Sequence, residues 1–493
     1  MPVEVVQKDR KSVLDSNMIQ KILELTTKDF LTGLAVSSHM PSSGVFIDAA
    51  GINPYRNPFT KSADVGLLQT SEATQAIGVG TIADVIYSGV LDGAALKAYL
   101  YGNGGKLYDL STSDFSTISV LRTVPNPASG LGIWAPYAGT RTLFYAREQN
   151  IGTFDLSSTY NDSSYASLNQ TTIHDMHQFV GNLYFCNKAQ IGGLTDDGDS
   201  SPLLVNDLLD LPQHLTAVTL SDDGYYLIIG ATANTISGNL SFHTENKIYF
   251  WDTISESWTK EYSIPTAYIA SIQRIGSLNY AICADGLYAF NFSIPPTLII
   301  PFDNDETPAR VGGVHPTHQL ATVKDSVLYW LSSATDICAY GSPVPGLSQR
   351  FFKPFKAIQG SVPSYLQAAT KTRFLTADDT NKLRYIDVLS GGNTGLTAET
   401  IFIPLEQKWN IKRIETTFGE PLASGDELNI DVKSDEDTAA TDYGTISFAS
   451  HGATRTKMLA KDYTAENLKL FFNFNGGNVK IKKVAVYGER VNI

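Results

Sequence analysis

The chain of 493 residues contains only three cysteines, Cys186, Cys283 and Cys338, and no two of them have a CxxC or zinc-ligand spacing. Each lies in an apolar run typical of a strand, and an odd number argues against a disulfide framework. The sequence therefore predicts buried, reduced thiols that pack as small hydrophobic side chains.

Long apolar runs are also missing. No stretch approaches the roughly 18 to 20 apolar residues of a membrane-spanning helix. The N-terminal segment MPVEVVQKDRKSVLDS lacks the apolar core of a secretory signal peptide. We therefore expect a protein without a membrane span that is synthesised in the cytoplasm.

Basic residues are scarce relative to acidic ones. The chain has 37 Lys and Arg against 50 Asp and Glu, which gives a formal net charge of −13. Residues 407–493 hold 12 of each sign, so the acidic excess lies within residues 1–406. Because such a surface repels phosphate backbones, nucleic acid is not expected as a partner.

Recognisable catalytic signatures are absent. The chain has no G-x-S-x-G elbow, Walker loop or G-x-G-x-x-G motif. It also lacks the S-x-D-x-G-x-x-W repeat of sialidases, which bind their substrate carboxylate through clustered arginines. The arginines considered share no position in the repeat described below: Arg141, Arg147, Arg274, Arg310, Arg350, Arg373 and Arg384. The sequence predicts no catalytic, cofactor-binding or metal-binding residue, and we expect no enzyme.

Two histidine pairs and three acidic turns are the candidate metal sites of the sequence. The pairs His174/His177 and His315/His318 are spaced i,i+3, whereas neighbours on one strand face are spaced i,i+2. A structural or surface role is therefore favoured over a metal or catalytic one. The acidic turns match no EF-hand loop, so solvated loops are favoured over calcium sites: Asp196–Asp199, Asp303–Glu306 and Asp435–Asp437.

The sequence does contain a repeat. Aromatic residues make up 11 %, with 24 Tyr and 23 Phe, which suits pleated β-structure. Seven strand-like runs end in a bulky apolar residue followed by a small or polar one, at intervals of 46, 40, 57, 39, 50 and 46 residues. This interval is typical of a four-stranded propeller blade. The anchors are Tyr108-Asp109, Phe154-Asp155, Leu194-Thr195, Trp251-Asp252, Phe290-Asn291, Tyr340-Gly341 and Ile386-Asp387.

The repeat predicts an all-β chain with a β-propeller of about seven blades over residues 73–405. Seven blades must close into a ring, and closure needs strands from both ends of the repeat region. We assign Gly78–Val90 to the first blade and Ala398–Leu405 to the closing strand.

The N-terminal residues 1–72 stand apart from the repeat. Within Asn17–Phe30 the apolar residues fall near one helical face, which predicts a short amphipathic helix. Pro54 and Pro58 then interrupt an irregular stretch. We expect an N-terminal arm that packs along the domain or reaches a neighbouring subunit, and a solvent-exposed leader is the alternative.

After Leu405 the pattern changes to clean alternation of apolar and charged residues. The segments KWNIKRIETTF, ELNIDVKS and NLKLFFNF are separated by turn-forming residues. This alternation predicts a small antiparallel β-sandwich over residues 406–493 with one solvated face on each sheet.

Several phrases resemble virion-associated propeller proteins of tailed bacteriophages. They are GINPYRNPFTKSADVGLLQT, SGVLDGAALKAYLYGNGGKLYDLS and the C-terminal stretch from KWNIKRIETTFGEPLASGDELNIDVKS to VKIKKVAVYGE. The resemblance implies a tail-facing arm, a propeller and a small β-sandwich in that order. It defines no active-site residue.

This resemblance implies a non-enzymatic structural component of a bacteriophage tail, in a nozzle, tip or adhesin-like position of the virion. The expected partners are other tail proteins and copies of the same chain, arranged in a symmetric ring or trimer through the N-terminal arm. Contact with a host-surface glycan or protein is a further expectation.

Two alternatives come from other functional classes. A carbohydrate-binding or glycan-cleaving propeller would stack sugars on exposed aromatic side chains, and the residues to inspect are Trp251, Trp258 and Tyr160. An interaction scaffold of the WD-repeat type is disfavoured by the irregular blades.

Overall fold

The computed structural model describes most of the chain. The described residues are 19–34, 44–50, 52, 68–69, 74–76, 82, 84–102, 104–135, 139–165, 168, 174–196, 202–233, 246–302, 306–308, 319–333, 336–342, 348–356, 363–370, 372–378, 383–387, 395–476 and 478–491. Within them the protein is all-β, and its two helices, α1 (Thr27–Phe30) and α2 (Phe448–His451), have four residues each. No helix of this part of the chain could cross a membrane.

Four short strands precede the repeat. They are β1 (Gln20–Thr26), β2 (Phe46–Asp48), β3 (Leu68–Gln69) and β4 (Thr74–Ala76). The helix predicted over Asn17–Phe30 is wrong for Gln20–Thr26, which form the strand β1, and only the four-residue helix α1 follows it. Asn17 and Met18 lie outside the described residues. Strand β1 pairs with the last strand of the chain, and a β-bulge between Lys21 and Leu23 turns Ile22 and Leu23 into the core together. A short helix is marginal by itself, so this tertiary pairing outweighs the helical pattern.

Seven four-stranded antiparallel sheets follow, and they form a seven-bladed β-propeller. Blade 1 has β5–β8 (Ile86–Asp92, Lys97–Gly102, Lys106–Ser111, Ile118–Thr123), and blade 2 has β9–β12 (Pro127–Trp134, Thr142–Arg147, Asn150–Phe154, Tyr160–Tyr165). Blade 3 has β13–β16 (Met176–Phe179, Asn182–Asn187, Gln190–Thr195, Leu203–Asp210), and blade 4 has β17–β20 (Leu215–Asp222, Leu227–Ala233, Asn246–Trp251, Lys260–Ile264).

The remaining blades have the same order. Blade 5 has β21–β24 (Ile269–Ile275, Leu278–Cys283, Gly286–Phe290, Thr297–Pro301). Blade 6 has β25–β28 (Ala321–Lys324, Val327–Leu331, Asp336–Gly341, Arg350–Lys356). Blade 7 has β29–β31 (Pro363–Ala368, Arg373–Asp378, Leu383–Asp387), and β4 is its fourth strand. The first strands of successive blades contact one another, and those of blades 7 and 1 complete the ring.

The ring closes differently from the sequence prediction. Of the segment Gly78–Val90 assigned to the first blade, Ile86–Val90 lies in β5, the first strand of blade 1, and residues 78–81 and 83 lie outside the described residues. Ala398–Leu405 does not close the ring. The closing strand is β4, which precedes the repeat and pairs with β31. Closure therefore joins residues about 310 positions apart, since Thr74 lies opposite Ile386. A three-residue strand carries too little periodicity to be recognised in the sequence.

The sequence anchors mark the third strand of each blade. Six of the seven apolar anchor residues are buried, and Tyr340 is partly buried. At three anchors, Asp155, Asp252 and Asn291, the side chain accepts backbone N–H bonds of 2.7–2.9 Å from residues two and three positions later. These Asx turns lead into the fourth strand. The repeat thus combines a core contact with the turn chemistry that follows it.

The C-terminal strands form a separate nine-stranded sheet. It contains β32 (Leu396–Thr400), β33 (Ile403–Phe418), β34 (Glu427–Ser434), β35 (Thr441–Ser447), β36 (Thr456–Gly476) and β37 (Lys480–Arg490), together with β1, β2 and β3. The order is β1-β37-β33-β36-β32-β2, while β3 pairs with β37 and β34 pairs with β35 and β36. Hydrogen bonds join all of these strands into one continuous sheet. The two-sheet sandwich predicted over residues 406–493 is therefore not confirmed and stays a prediction.

By packing, the described chain divides into two compact units. One comprises residues within Met1–Ala73, Asp336–Lys356 and Asp387–Ile493, and the other comprises residues within Thr74–Thr335 and Ala357–Ile386. The first unit has its own core, in which Leu25 and Phe30 lie beside Ile411 and Val484 with no exposed area. The described strands β1, β2 and β3 are therefore integral to the C-terminal sheet.

Candidate functional site

A cavity of about 590 Å³ opens among the first strands of the propeller. Its walls come from β5, β9 and β13, from Gln319 just before β25, and from Gln367 on β29. The polar side chains in the wall are Arg141, His177, Gln178 and the two glutamines. The described lining contains no carboxylate.

Gln319 links two blades that are not neighbours. Its Nε2 donates to the carbonyl oxygen of Gly89 at 2.6 Å, and its Oε1 accepts from the Gly89 backbone N–H. Blade 6 is thereby joined to blade 1 at the cavity wall. Gly89 leaves room for this contact and for Tyr365, because a Cβ atom there would collide with the Tyr365 hydroxyl.

A second polar group connects the first strands of blades 3, 4 and 5. His177 Nε2 lies 2.9 Å from Asp222 Oδ2, and Arg274 lies 3.4 Å from Asp222 Oδ1. The hydrogen bond with His177, followed by the charges of His177 and Arg274, lowers the pKa of Asp222 below its ordinary value. All three side chains are partly exposed, and their contacts hold neighbouring blades together.

The other histidine of this cluster is structural. His174 is fully buried, with Nδ1 2.9 Å from the Cys186 carbonyl oxygen and Nε2 3.1 Å from the Glu148 carbonyl oxygen. The i,i+3 pair is thus divided between two environments. His315 and His318 lie outside the described residues. Within the described part of the chain, no group of three His, Cys, Asp or Glu side chains could hold a metal ion.

Three further arginines from the set named in the sequence have structural contacts. Arg141 pairs at 2.6 Å with Asp92, a nearly buried carboxylate. Arg147 Nε donates to the Pro125 carbonyl oxygen at 2.8 Å. Arg373 lies 5.0 Å from the ring centroid of Phe115 and 5.1 Å from that of Tyr385. Arg310 lies outside the described residues.

The aromatic residues considered for sugar stacking are also engaged within the blades. Trp251 is buried and donates to the Ser255 carbonyl oxygen at 2.7 Å. Trp258 packs on Tyr249 with ring centroids 4.8 Å apart, and Tyr160 stacks on Phe154 at 4.3 Å. A different residue, Tyr225, projects into solvent and is 83 % exposed.

Two of the three acidic turns lie largely outside the described residues, since residues 197–199 and 303–305 are not described. At Asp435–Asp437, each side chain has a protein partner: Asp435 accepts from Asn467, Glu436 pairs with Lys408, and Asp437 accepts from Tyr463. The three cysteines are fully buried, and burial raises the thiol pKa of Cys186 and Cys283.

Sequence reasoning missed the cavity residues Gln319 and Gln367. Neither belongs to a motif, and they line one cavity only because the ring brings β5, β25 and β29 together. The exposed turn residue Tyr225 stands in the segment Ser221–Leu227, which is readable as a turn. Its exposure follows from the turn geometry, where Asp223 Oδ1 accepts the N–H groups of Tyr225 and Tyr226.

No family model matches the chain, and no curated protein matches it. Among solved structures, the chain is similar to the computationally designed Ika8 protein, with 9 % identity, coverage of 64 % of this chain and 100 % of that chain, and a TM-score of 0.39. It is also similar to virginiamycin B lyase from Staphylococcus aureus, with 13 % identity, coverage of 64 % of this chain and 99 % of that chain, and a TM-score of 0.43. For Raptor from Chaetomium thermophilum the identity is 9 %, the coverage is 64 % of this chain and 29 % of that chain, and the TM-score is 0.46.

Proposed function

We propose that the chain is a non-catalytic structural component of a bacteriophage tail, in a nozzle, tip or adhesin-like position. One observation carries this proposal: the histidine and arginine side chains nearest the cavity hold neighbouring blades together. His177, Asp222 and Arg274 connect three blades, and Arg141 is paired with Asp92. The assignment to a phage tail is supported by the sequence resemblance.

The cavity supports a non-enzymatic role. Glycoside hydrolysis ordinarily needs two carboxyl groups on either side of the scissile bond. The described cavity wall offers amides, an imidazole and a guanidinium instead. Such a wall is suited to hydrogen bonding and provides no pair of carboxylates for acid–base catalysis.

The proposed partners are other tail proteins and further copies of the chain in a ring or trimer of the virion. The N-terminal arm enters this proposal in a revised form. Because β1 and β2 are paired within the C-terminal sheet, deletion of residues 1–72 would remove core strands together with any docking segment. Deletion therefore cannot separate folding from assembly.

A nonsense mutation tests the role in the virus whose genome encodes the chain. In a non-suppressing host we expect particles with defective tails and at least a 100-fold loss of plaque-forming units, restored when the chain is supplied from a plasmid. A normal yield of infectious particles without the chain would contradict the proposal.

The second candidate is a carbohydrate-binding or glycan-cleaving propeller, and exposed Tyr225 is the observation that favours it. A glycan array probed with the full chain tests this candidate. Binding that is lost in Tyr225→Ser, without release of reducing ends, would support a lectin. Release of reducing ends would support an enzyme and overturn the non-catalytic proposal.

A further inference from the structure

Five of the large apolar side chains exposed on blades 3, 4 and 5 lie in or beside turns. Val180 is 71 %, Tyr225 83 % and Ile254 90 % exposed, while Leu203 and Ile294 are about half exposed. Four of them occupy turns, and Leu203 begins β16 opposite Thr195, the last residue of β15. We call these five residues the turn-tip surface.

The blade topology places these residues on one face of the propeller. Val180 and Tyr225 lie in turns between the first and second strands of blades 3 and 4. Ile254 and Ile294 lie in turns between the third and fourth strands of blades 4 and 5. In a four-stranded antiparallel sheet, these two kinds of turn lie at the same end of the blade.

Side-chain contacts also connect the turns of neighbouring blades. His177, Asp222 and Arg274 link the inner turns of blades 3, 4 and 5. Farther out, Lys260 on blade 4 donates at 2.7 Å to the Phe292 carbonyl oxygen in the turn that carries Ile294. These contacts join blades 3, 4 and 5 on the face that carries the five residues.

The fold does not require apolar residues at these tips. Val180 has φ 46° and precedes Gly181 with φ 82°, a two-residue hairpin turn in which asparagine or aspartate would usually take the first position. A β-branched residue is strained in this left-handed conformation. Trp134 Nε1 donates to the Gly181 carbonyl oxygen at 2.8 Å and fixes the turn. The surrounding structure thus holds Val180 in this conformation.

The charges around the turn-tip surface are mainly negative. Asp196, Asp223, Asp252 and Glu256 lie in the same turns. Of the basic residues nearby, Arg274 is paired with Asp222 and Lys260 donates to the Phe292 carbonyl oxygen. Backbone N–H groups, above all that of Ser255, lower the pKa of Asp252. The carboxylate therefore remains ionised at neutral pH, and the apolar tips stand in a negative field.

We propose that the turn-tip surface binds a protein segment whose apolar side chains are flanked by lysine or arginine. Apolar patches rimmed by polar residues mark protein interaction sites, and a basic segment complements the negative rim. Contact of this surface with the same acidic surface of a second copy is electrostatically disfavoured. The inference goes beyond the proposed function and does not depend on the assignment to a phage.

The experiment is a selection of displayed random 12-residue peptides on the immobilised full chain. Selected peptides are then measured by fluorescence anisotropy against a triple variant, Val180→Ser/Tyr225→Ser/Ile254→Ser. The matched control is Val120→Ser/Leu298→Ser, which alters exposed apolar residues on the outer strands β8 and β24. Thermal unfolding verifies that both variants remain folded.

We expect enriched peptides that combine apolar residues with lysine or arginine. Their affinity should fall at least tenfold in the triple variant, remain unchanged in the control and weaken with added salt. Absence of enrichment, enrichment of acidic peptides, or equal binding to both variants would overturn the proposal. Light scattering provides a further test, because a dimer that the triple variant dissociates would assign the surface to a second copy instead.

Discussion

Replacement of Leu25 by alanine tests whether the N-terminal strand is part of the C-terminal sheet. Leu25 has no exposed area, lies opposite Val484 in the β1–β37 pair and belongs to the core of the first unit. A free N-terminal arm would instead leave this side chain in solvent. The two arrangements therefore predict different consequences for the stability of β37.

The expected loss follows from the burial of the leucine side chain. Removal of a fully buried leucine side chain to Cβ costs about 3 kcal/mol, within the usual range for such cavities. Hydrogen exchange of residues 481–488, measured by mass spectrometry, reports the opening of β37. Since each 1.4 kcal/mol changes an equilibrium tenfold, exchange should accelerate roughly 100-fold.

Lys21→Ala is the matched control on the same strand. Lys21 is partly exposed and pairs with Glu24 at 2.6 Å, a contact of the kind that contributes less than about 1 kcal/mol. Its replacement should change the exchange of β37 by no more than about fivefold. Equal exchange in Leu25→Ala and the unaltered chain would refute the integral strand.

Three further predictions concern the propeller. Because the folded pKa of Asp222 is lowered, mainly by His177, its contribution to stability is present above about pH 4 and lost as the pH falls; melting temperatures of Asp222→Asn and the unaltered chain should therefore converge in acid, and a constant difference would contradict this. Gln319→Leu should cost about 2 kcal/mol in chemical unfolding, because it leaves the peptide groups of Gly89 without their partner, whereas exposed Gln178→Leu should cost little. Iodoacetamide should modify the thiols of Cys186, Cys283 and Cys338 only after unfolding, because all three are buried. Rapid labelling of the folded protein would show that their burial is incomplete.

Much of the propeller was predictable because its signals are local and repeated. At the anchor Trp251-Asp252, Trp251 packs in the core, and the Asp252 side chain accepts a backbone hydrogen bond in the following turn. Two adjacent residues thus give both signals of the repeat. The same logic recurs at Phe154-Asp155 and Phe290-Asn291. Seven such pairs at blade spacing therefore indicate the architecture without any long-range information.

The failures concern pairings between distant segments. Strand β1 carries apolar residues that fit a helix as well as a bulged strand, and only its pairing with β37 decides between them. The closing strand β4 has three residues, and Leu396–Thr400, which overlaps the segment Ala398–Leu405 assigned to closure, pairs with β36 instead. Local periodicity cannot distinguish such partners.

The candidate sites were less predictable than the fold. Gln319 and Gly89 are 230 positions apart and meet through ring closure, so no sequence window contains both. The exposure of Val180 and Ile254 also depends on their positions in turns and cannot be read from residue type. His174 and Trp251 are candidate site residues in the sequence, yet both are buried structural residues.

Quantitative mass spectrometry of gradient-purified particles tests the central claim, that the chain is a structural part of a phage tail, most directly. The particles are those of the virus whose genome encodes the chain, with the major capsid protein as the internal standard. We predict a small, constant number of copies in each particle, equal to a multiple of the symmetry of a ring or trimer. Absence of the chain from the particles, with all of it free in the lysate, would contradict the account.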